Sequence, residues 1–166
     1  MKQIALMRHA KSSWDNAELA DIDRPLNRRG LRDAPMMGQR LADMGFVADY
    51  IVTSPATRAA VTARTIAEKI GVSSSAIKLE EDIYLADPVT LYQVMQQLDD
   101  SHQTVMLFGH NPGFTMLANE IGDASIDHMP TCSIAVFNLK IETWSRIARG
   151  CGELVFFDYP KSIREL

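Results

Sequence analysis

Arg8-His9, Ser54 with Arg58 one helical turn on, and Gly109-His110 each follow a stretch that reads as a buried strand. The stretches are Ile4–Met7, Asp49–Thr53 with Tyr50-Ile51-Val52 inside it, and Thr104–Phe108. If these strands lie parallel, their carboxyl ends share one rim of the sheet, which is where open α/β sheets bind ligands. Two arginines and two histidines then converge from distant parts of the chain. Arginine stays protonated at any working pH and its planar fork matches phosphate oxygens, so the cluster calls for an anion. Ser54-Pro55 and Asn111-Pro112 read as helix starts, adding free backbone N–H groups and the positive end of a helix dipole. A phosphoryl group is the natural occupant. A lone Arg or His at a strand end is more often structural; four of them at three strand ends carry the argument.

The elements that must position these residues follow from periodicity and turn signals. Residues Asp15–Arg29 are polar, contain Pro25 and read as a loop. Leu31, Ala34, Gly38, Leu41 and Gly45 then recur at helical spacing. The helix opened by Ser54-Pro55 runs through Thr65-Ile66-Ala67 to about Ile70 and stops at Gly71. Ile77–Leu79 is a short strand. Asp87-Pro88 opens a helix with Leu91, Val94, Met95 and Leu98 inward, and Phe114–Ile121 is helical. Ser133–Leu139 and Glu153–Asp158 read as strands around a turn near Gly150-Cys151-Gly152. The alternation predicts a three-layer αβα sandwich on a mostly parallel sheet, with the last two strands pairing antiparallel at its edge.

Composition narrows the class. One domain over residues 1–166 is the economical reading, and a chain of this length buries roughly 70% of its unfolded surface. Seventeen Lys and Arg against twenty-one Asp and Glu give a net charge of −4, which argues against a nucleic-acid binder that relies on a broad basic surface. No apolar run approaches the roughly 20 residues of a membrane span. Cys132 and Cys151 form neither a CxxC pair nor a disulfide framework, and the expectation is a cytoplasmic domain with buried thiols. No Asp/Glu/His spacing suggests a metal site, so no metal or cofactor is expected.

The ordered segments carry a family resemblance. Arg8-His9-Ala10-Lys11-Ser12-Ser13-Trp14 after the first strand resembles the Arg-His-Gly signature of the histidine phosphatase superfamily. Asp23-Arg24-Pro25-Leu26-Asn27-Arg28-Arg29-Gly30, Thr53-Ser54-Pro55-Ala56-Thr57-Arg58 and Gly109-His110-Asn111-Pro112-Gly113 are similar in type to the superfamily's further segments. The set looks closest to the short SixA-like phosphohistidine phosphatases, within a phosphoglycerate mutase-like fold. One position departs: Ala10 stands where the superfamily usually has Gly, keeping a small residue without glycine's backbone freedom.

The resemblance implies that His9 is a nucleophile that takes the phosphoryl group on a ring nitrogen. Neighbouring cations would keep its imidazole neutral, and its other nitrogen should donate to a backbone carbonyl. Arg8, Arg58 and His110 would clamp the non-bridging oxygens. For a proton donor, Glu81 in Leu79-Glu80-Glu81-Asp82-Ile83-Tyr84 matches best; Glu80 and Asp82 compete, and an exposed acidic turn explains all three equally well. A phosphohistidine substrate needs little acid help, because imidazole leaves easily. Lys11, Ser12 and Asn111 are candidate substrate-binding residues, with a solvated loop as the alternative for the first two. Asp21, Asp23, Arg24 and Arg28 read as an ion-pair network shaping the loop, with Arg24 alternatively reaching the substrate. Trp14 reads as packing, with lining the mouth as the alternative. Met7, Met36, Met37, Met44, Met95 and Met106 read as core filling, and His102 and His128 as surface or incidental residues.

Little chain separates Glu81 from His110, which leaves little for a lid. An open rim suits a phosphoryl group presented by a protein partner, such as a phosphohistidine-bearing signalling or phosphotransfer domain. The alternatives are a phosphatase of small phosphate esters, a phosphoglycerate-type mutase, or a non-catalytic phosphate-binding module. A flavodoxin-like nucleotide binder is weaker, since no Gly-rich loop follows the first strand.

Overall fold

A computed structural model describes residues 1–162 of the chain. Six strands form one sheet: β1 (Lys2–Arg8), β2 (Tyr50–Thr53), β3 (Ile77–Leu79), β4 (Thr104–Gly109), β5 (Ile134–Leu139) and β6 (Gly152–Asp158), in the spatial order β3-β2-β4-β1-β5-β6. The first four pair parallel, and β5 and β6 add antiparallel at the edge next to β1. Four helices cover the two faces: α1 (Arg28–Asp43), α2 (Thr57–Ile70), α3 (Pro88–Gln96) and α4 (Gly113–Ile121). The expected three-layer architecture is therefore present.

The pleat divides the core in two. Ile4 and Leu6 of β1 face one side with Leu91, Met95, Phe114, Leu117 and the buried ring of Trp144; Ala5 and Met7 face the other with Ala34, Met37, Leu41, Ala63 and Ile66. Strands buried on both faces explain why β1 and β4 read as unbroken apolar runs.

Several boundaries differ from the sequence reading. Leu31 was expected on the inner stripe of α1 but is 60% exposed; Gly30, Ala34, Met37, Gly38 and Leu41 face inward. Gly45 lies beyond the helix at φ 75, so its role is in the turn. The loop assigned to 15–29 holds a 3₁₀ turn at Asp21–Asp23 and ends early, because Asn27 caps α1 by accepting from Gly30 N–H at 2.9 Å. Ser54 is not the cap of α2. It is buried at the end of β2, and the helix begins at Thr57 with Ala56 before it, which puts Arg58 in the first turn. Asp87-Pro88 opens α3 as expected, with Asp87 accepting from Thr90 N–H at 2.9 Å. Asn111 acts one position further out than expected: Pro112 is the residue before α4, and the Asn111 side-chain oxygen accepts from the Thr115 hydroxyl at 2.9 Å.

One close approach fixes the loop after β1. A Cβ at Gly30 would lie 2.1 Å from the carbonyl oxygen of Lys11, the same oxygen that accepts from Asn27 N–H at 3.0 Å. Backbone meets backbone there, so no side chain can swing aside to make room. Gly30→Ala is expected to destabilise the fold by about 2 kcal/mol or more, measured by urea unfolding.

Candidate active site

Parallel pairing of β1 with β4 and of β4 with β2 brings their carboxyl ends side by side. His9 and His110 follow β1 and β4 directly, and their ring centroids are 5.2 Å apart. Arg8, Arg58, Lys11, Ser12, Asn111 and both histidines line one cavity of about 190 Å³, together with Arg24, Trp14, Leu85 and Thr131. The structure thus gathers every candidate residue except Glu81. Glu81 is exposed in a 3₁₀ turn (Glu81–Ile83) and does not line this cavity. Glu80 and Asp82 instead line a separate cavity of about 330 Å³ between α3 and the β2–β3 edge.

His9 is buried, and its Nδ1 lies 2.7 Å from the Ala10 carbonyl oxygen. A carbonyl can only accept, so Nδ1 carries the proton and Nε2 keeps its lone pair. Burial first, and then the charges of His110, Arg58 and Arg8, push the imidazole down to about 3, against the pull of its bond to Ala10. The loop that holds it is itself fixed: Ala10 N–H donates to Thr62 Oγ1 at 3.0 Å, and that hydroxyl donates to the Arg58 carbonyl at 2.7 Å. Ala10 is not among the residues with positive φ, so the lost glycine freedom has no consequence here.

His110 Nε2 sits 2.7 Å from Ser54 Oγ, which also accepts from Ala56 N–H at 3.2 Å. When the hydroxyl donates to Nε2, the imidazole proton resides on Nδ1. That atom is buried and has no partner among the described residues, so it is free to donate to an anion. Burial, then Arg58 and Arg8, push His110 down to about 4, with Asp21 opposing. Arg8 donates through Nη1 to the Met129 carbonyl at 3.0 Å, while its Nε is buried without a partner. Burial and the neighbouring Arg58 both act against its charge.

One carboxylate organises the cations. Asp21 accepts from Arg58 Nη2 at 3.0 Å, from Arg24 Nη1 at 2.9 Å and from the Tyr84 hydroxyl, and its backbone carbonyl accepts Arg58 Nη1 at 2.7 Å. These bonds, the one from Tyr84 foremost, hold the Asp21 carboxyl far below the usual carboxylate range. Arg24 also donates to the Ser13 carbonyl and the Ser12 hydroxyl, and its guanidinium lies 3.3 Å above the Trp14 ring. Trp14 is consequently not packing: it is 73% exposed at the cavity mouth. Asp23 and Arg28 form no ion pair among the described residues, so the expected loop network reduces to Asp21 and Arg24 and extends to Arg58.

Sequence reasoning missed the Ser54–His110 pair, the Tyr84 hydroxyl, the Thr62 bridge and the Met129 carbonyl. Asp21 and Arg24 stand three residues apart, a spacing that suits a turn in which the two side chains meet. Nothing local signals that Arg58, 37 residues on, shares the same carboxylate. His102 stacks on Tyr50 at 4.3 Å, away from the cavity, and His128 is exposed. Cys132 is buried and burial pushes its thiol upward; Cys151 is half-buried and free. Among the described residues no group of three or more His, Cys, Asp or Glu side chains is placed to hold a metal ion, and no helix is long and apolar enough to cross a membrane.

Fold and cavity together place two buried imidazoles and two arginines at the carboxyl ends of parallel strands in an α/β sandwich. The chain belongs to the histidine phosphatase superfamily: residues 4–84 match the sequence profile of its branch 1. The uncharacterized protein Rv1276c of Mycobacterium tuberculosis is 33% identical over 165 residues, covering 93% of this chain and all of that one. An Agrobacterium tumefaciens chain provisionally assigned as the phosphohistidine phosphatase SixA superimposes with a TM-score of 0.79 at 27% identity, over 96% of this chain and 98% of that one. A mycobacterial glucosyl-3-phosphoglycerate phosphatase shares the fold at a TM-score of 0.66 and 12% identity, over 96% and 98% of the two chains.

The two depressed imidazoles set the response to acid. In the unfolded chain they protonate near 6.5, while in the folded chain they resist until about 3 for His9 and about 4 for His110. Between those values the unfolded state binds more protons, so folding stability contributed by this pair falls as pH drops from 7 towards 4. NMR of ring nitrogens should show His9 neutral, with its proton on Nδ1, at pH 5. A charged His9 ring at that pH would contradict the geometry.

Proposed function

We propose that residues 1–166 act as one phosphatase domain in which His9 Nε2 attacks the phosphoryl group and forms a covalent phosphohistidine. The observation that carries this reading is the Nδ1 contact with the Ala10 carbonyl, which fixes the tautomer and leaves Nε2 as the lone-pair nitrogen of a buried, uncharged ring. In the first step the Nε2–P bond forms as the bond from phosphorus to the leaving atom breaks. Arg8, Arg58 and the His110 Nδ1–H supply donors to the three non-bridging oxygens, where charge accumulates. In the second step water attacks phosphorus, the Nε2–P bond breaks, and inorganic phosphate departs. No step calls on a metal.

The substrate we favour is phosphohistidine carried by a protein partner, with small phosphate esters as the second reading. Two features support the first. Among the described residues no acidic side chain lines the cavity, and an imidazole leaving group is the one that least needs a proton donor. The mouth is also open, flanked by the exposed side chains of Trp14 and Leu85. The protein histidine phosphatase SixA, which shares this fold at a TM-score of 0.79 and 22% identity, takes up tungstate, a tetrahedral oxyanion like phosphate.

His9→Ala should abolish turnover of a phosphohistidine-bearing protein, and mass spectrometry of the quenched wild type should place phosphate on His9. Retained turnover in the variant ends the mechanism. Arg58→Ala is expected to lower kcat/KM by about 10²–10³, and activity should survive chelators. Comparing phosphohistidine with p-nitrophenyl phosphate separates the two substrate readings. A marked preference for the ester that is lost in Glu81→Gln would favour the second.

A further inference from the structure

The first turns of α1 are built against their own helix. Arg28, Arg29 and Arg32 occupy them, no acidic residue stands in the first turn, and the N-terminus of a 16-residue helix carries the positive end of the dipole. Arg28 and Arg32 are four residues apart, a like-charge spacing that also costs helix stability. Asp33 compensates in part from below: it is buried, with one oxygen 3.4 Å from Arg29 Nε and the other 3.4 Å from Arg32 Nε. Arg28 and Lys11 have no ion pair among the described residues. In a chain of net charge −4, this concentration of cations needs a reason.

Lys11, Arg28, Arg29 and Arg32 line one open trough of about 760 Å³, with Asp15 as its one acidic lining residue among the described residues. The trough shares Lys11, Ser12 and Trp14 with the 190 Å³ cavity that holds His9, so the two adjoin at the exposed indole. Its character differs from that of the catalytic cavity. There, buried donors close around a small volume. Here, Arg28 and Arg32 are exposed and spread along a helix, over four times the space. Dispersed cations beside an exposed Trp fit a surface with several carboxylates, not one discrete anion.

We infer that this trough is the docking surface for the protein that carries the phosphoryl group, and that the partner presents Asp and Glu side chains next to its phosphorylated residue. The inference rests on the reading of the cavity as a phosphatase site for a protein substrate and adds what that protein must look like. Acidic side chains laid along α1 would neutralise Arg28 and Arg32 and relieve the repulsion at the helix start, while the phosphorylated side chain passes Trp14 to reach His9. Steering by opposite charge acts on encounter, so it raises kcat/KM and leaves kcat on a saturating substrate largely unchanged. A nucleic acid is disfavoured as occupant by the overall negative charge and the small number of cations.

The test uses two synthetic phosphohistidine peptides, one with Glu flanking the phosphorylated residue and one with Gln, and p-nitrophenyl phosphate as a probe that cannot reach the trough. The wild type should turn over the Glu peptide with kcat/KM on the order of tenfold higher than the Gln peptide at low salt. The preference should shrink between about 20 and about 300 mM salt. The double variant Arg28→Glu, Arg32→Glu should lose or reverse it while keeping the rates on the Gln peptide and on p-nitrophenyl phosphate. Glu at position 28 suits the helix N-terminus and Arg29 still pairs with Asp33 when Arg32 is replaced, so the variant is expected to fold; circular dichroism checks this. The variant Arg28→Gln, Arg32→Gln, which adds no charge beside Asp33, should lose the preference as well. Calorimetric binding of the unphosphorylated Glu peptide to wild type and double variant reads the trough without turnover. Charge-sensitive binding with no phosphohistidine hydrolysis would sustain the docking surface and remove the proposed activity. Equal rates on both peptides, a preference that survives the double reversal, or tighter charge-sensitive binding of a DNA duplex than of the Glu peptide would overturn the inference.

Discussion

The site depends on holding two arginines beside two buried imidazoles with very little negative charge to balance them. Arg58 is 3% exposed and Arg8 half-buried, and burial and then the charge of Arg58 act against the charge on Arg8. Removing an ion from water costs several kcal/mol even after the protein relaxes, and only paired or hydrogen-bonded charges survive it. Asp21 provides the pairing for Arg58, through both its carboxylate and its backbone carbonyl, and the Met129 carbonyl serves Arg8. The remaining imbalance falls on the histidines. They are the groups able to shed charge, and they do, with His9 pushed to about 3 and His110 to about 4. Neutral imidazoles are therefore a consequence first of burial and then of the cations packed beside them.

The same accounting explains the empty donors. Arg8 Nε and His110 Nδ1 are buried polar atoms without partners among the described residues, on two side chains that line one cavity. An unsatisfied buried donor costs about 1–3 kcal/mol. The fold tolerates two of them where a tetrahedral anion would satisfy both. A preorganised arrangement of this kind requires little movement when charge develops on phosphoryl oxygens. Its rigidity comes from the surroundings: Thr62 ties Ala10 to Arg58, and Gly30 lets α1 press directly on the Lys11 carbonyl.

How much of this was legible in the chain follows the range of the interactions. The strands that end at His9, Ser54 and His110 could be read because burial on both faces leaves no polar interruption in Ile4–Met7 or Val105–Phe108. The rim then followed from parallel pairing alone. The start of α2 was misread because Ser54-Pro55 has the local chemistry of a cap, whereas the Ser54 hydroxyl is engaged by His110 across the sheet. Leu31 was misread because one apolar residue fits a helical period by chance; the inner face of α1 is set by Ala34, Met37 and Leu41 against α2. The Asp21 hub was out of reach for a different reason. Its partners at 24, 58 and 84 meet only once the loop after β1 has folded across the carboxyl ends of the strands.

Glu81 shows where motif likeness and geometry part. The segment Leu79–Tyr84 contributes two side chains that matter to the site, and neither is acidic. Tyr84 donates to Asp21 and meets the His110 ring edge-on at 5.5 Å, while Ile83 fills the core behind. The 3₁₀ turn that buries Ile83 leaves Glu81 exposed, and Leu85, with φ 50, is the next residue to reach the cavity. An apolar residue lining that wall offers no proton to a leaving group. If the cavity serves the hydrolysis proposed above, a leaving group that departs as a weak base, as a protonated phosphohistidine ring does, fits that wall better than an alkoxide.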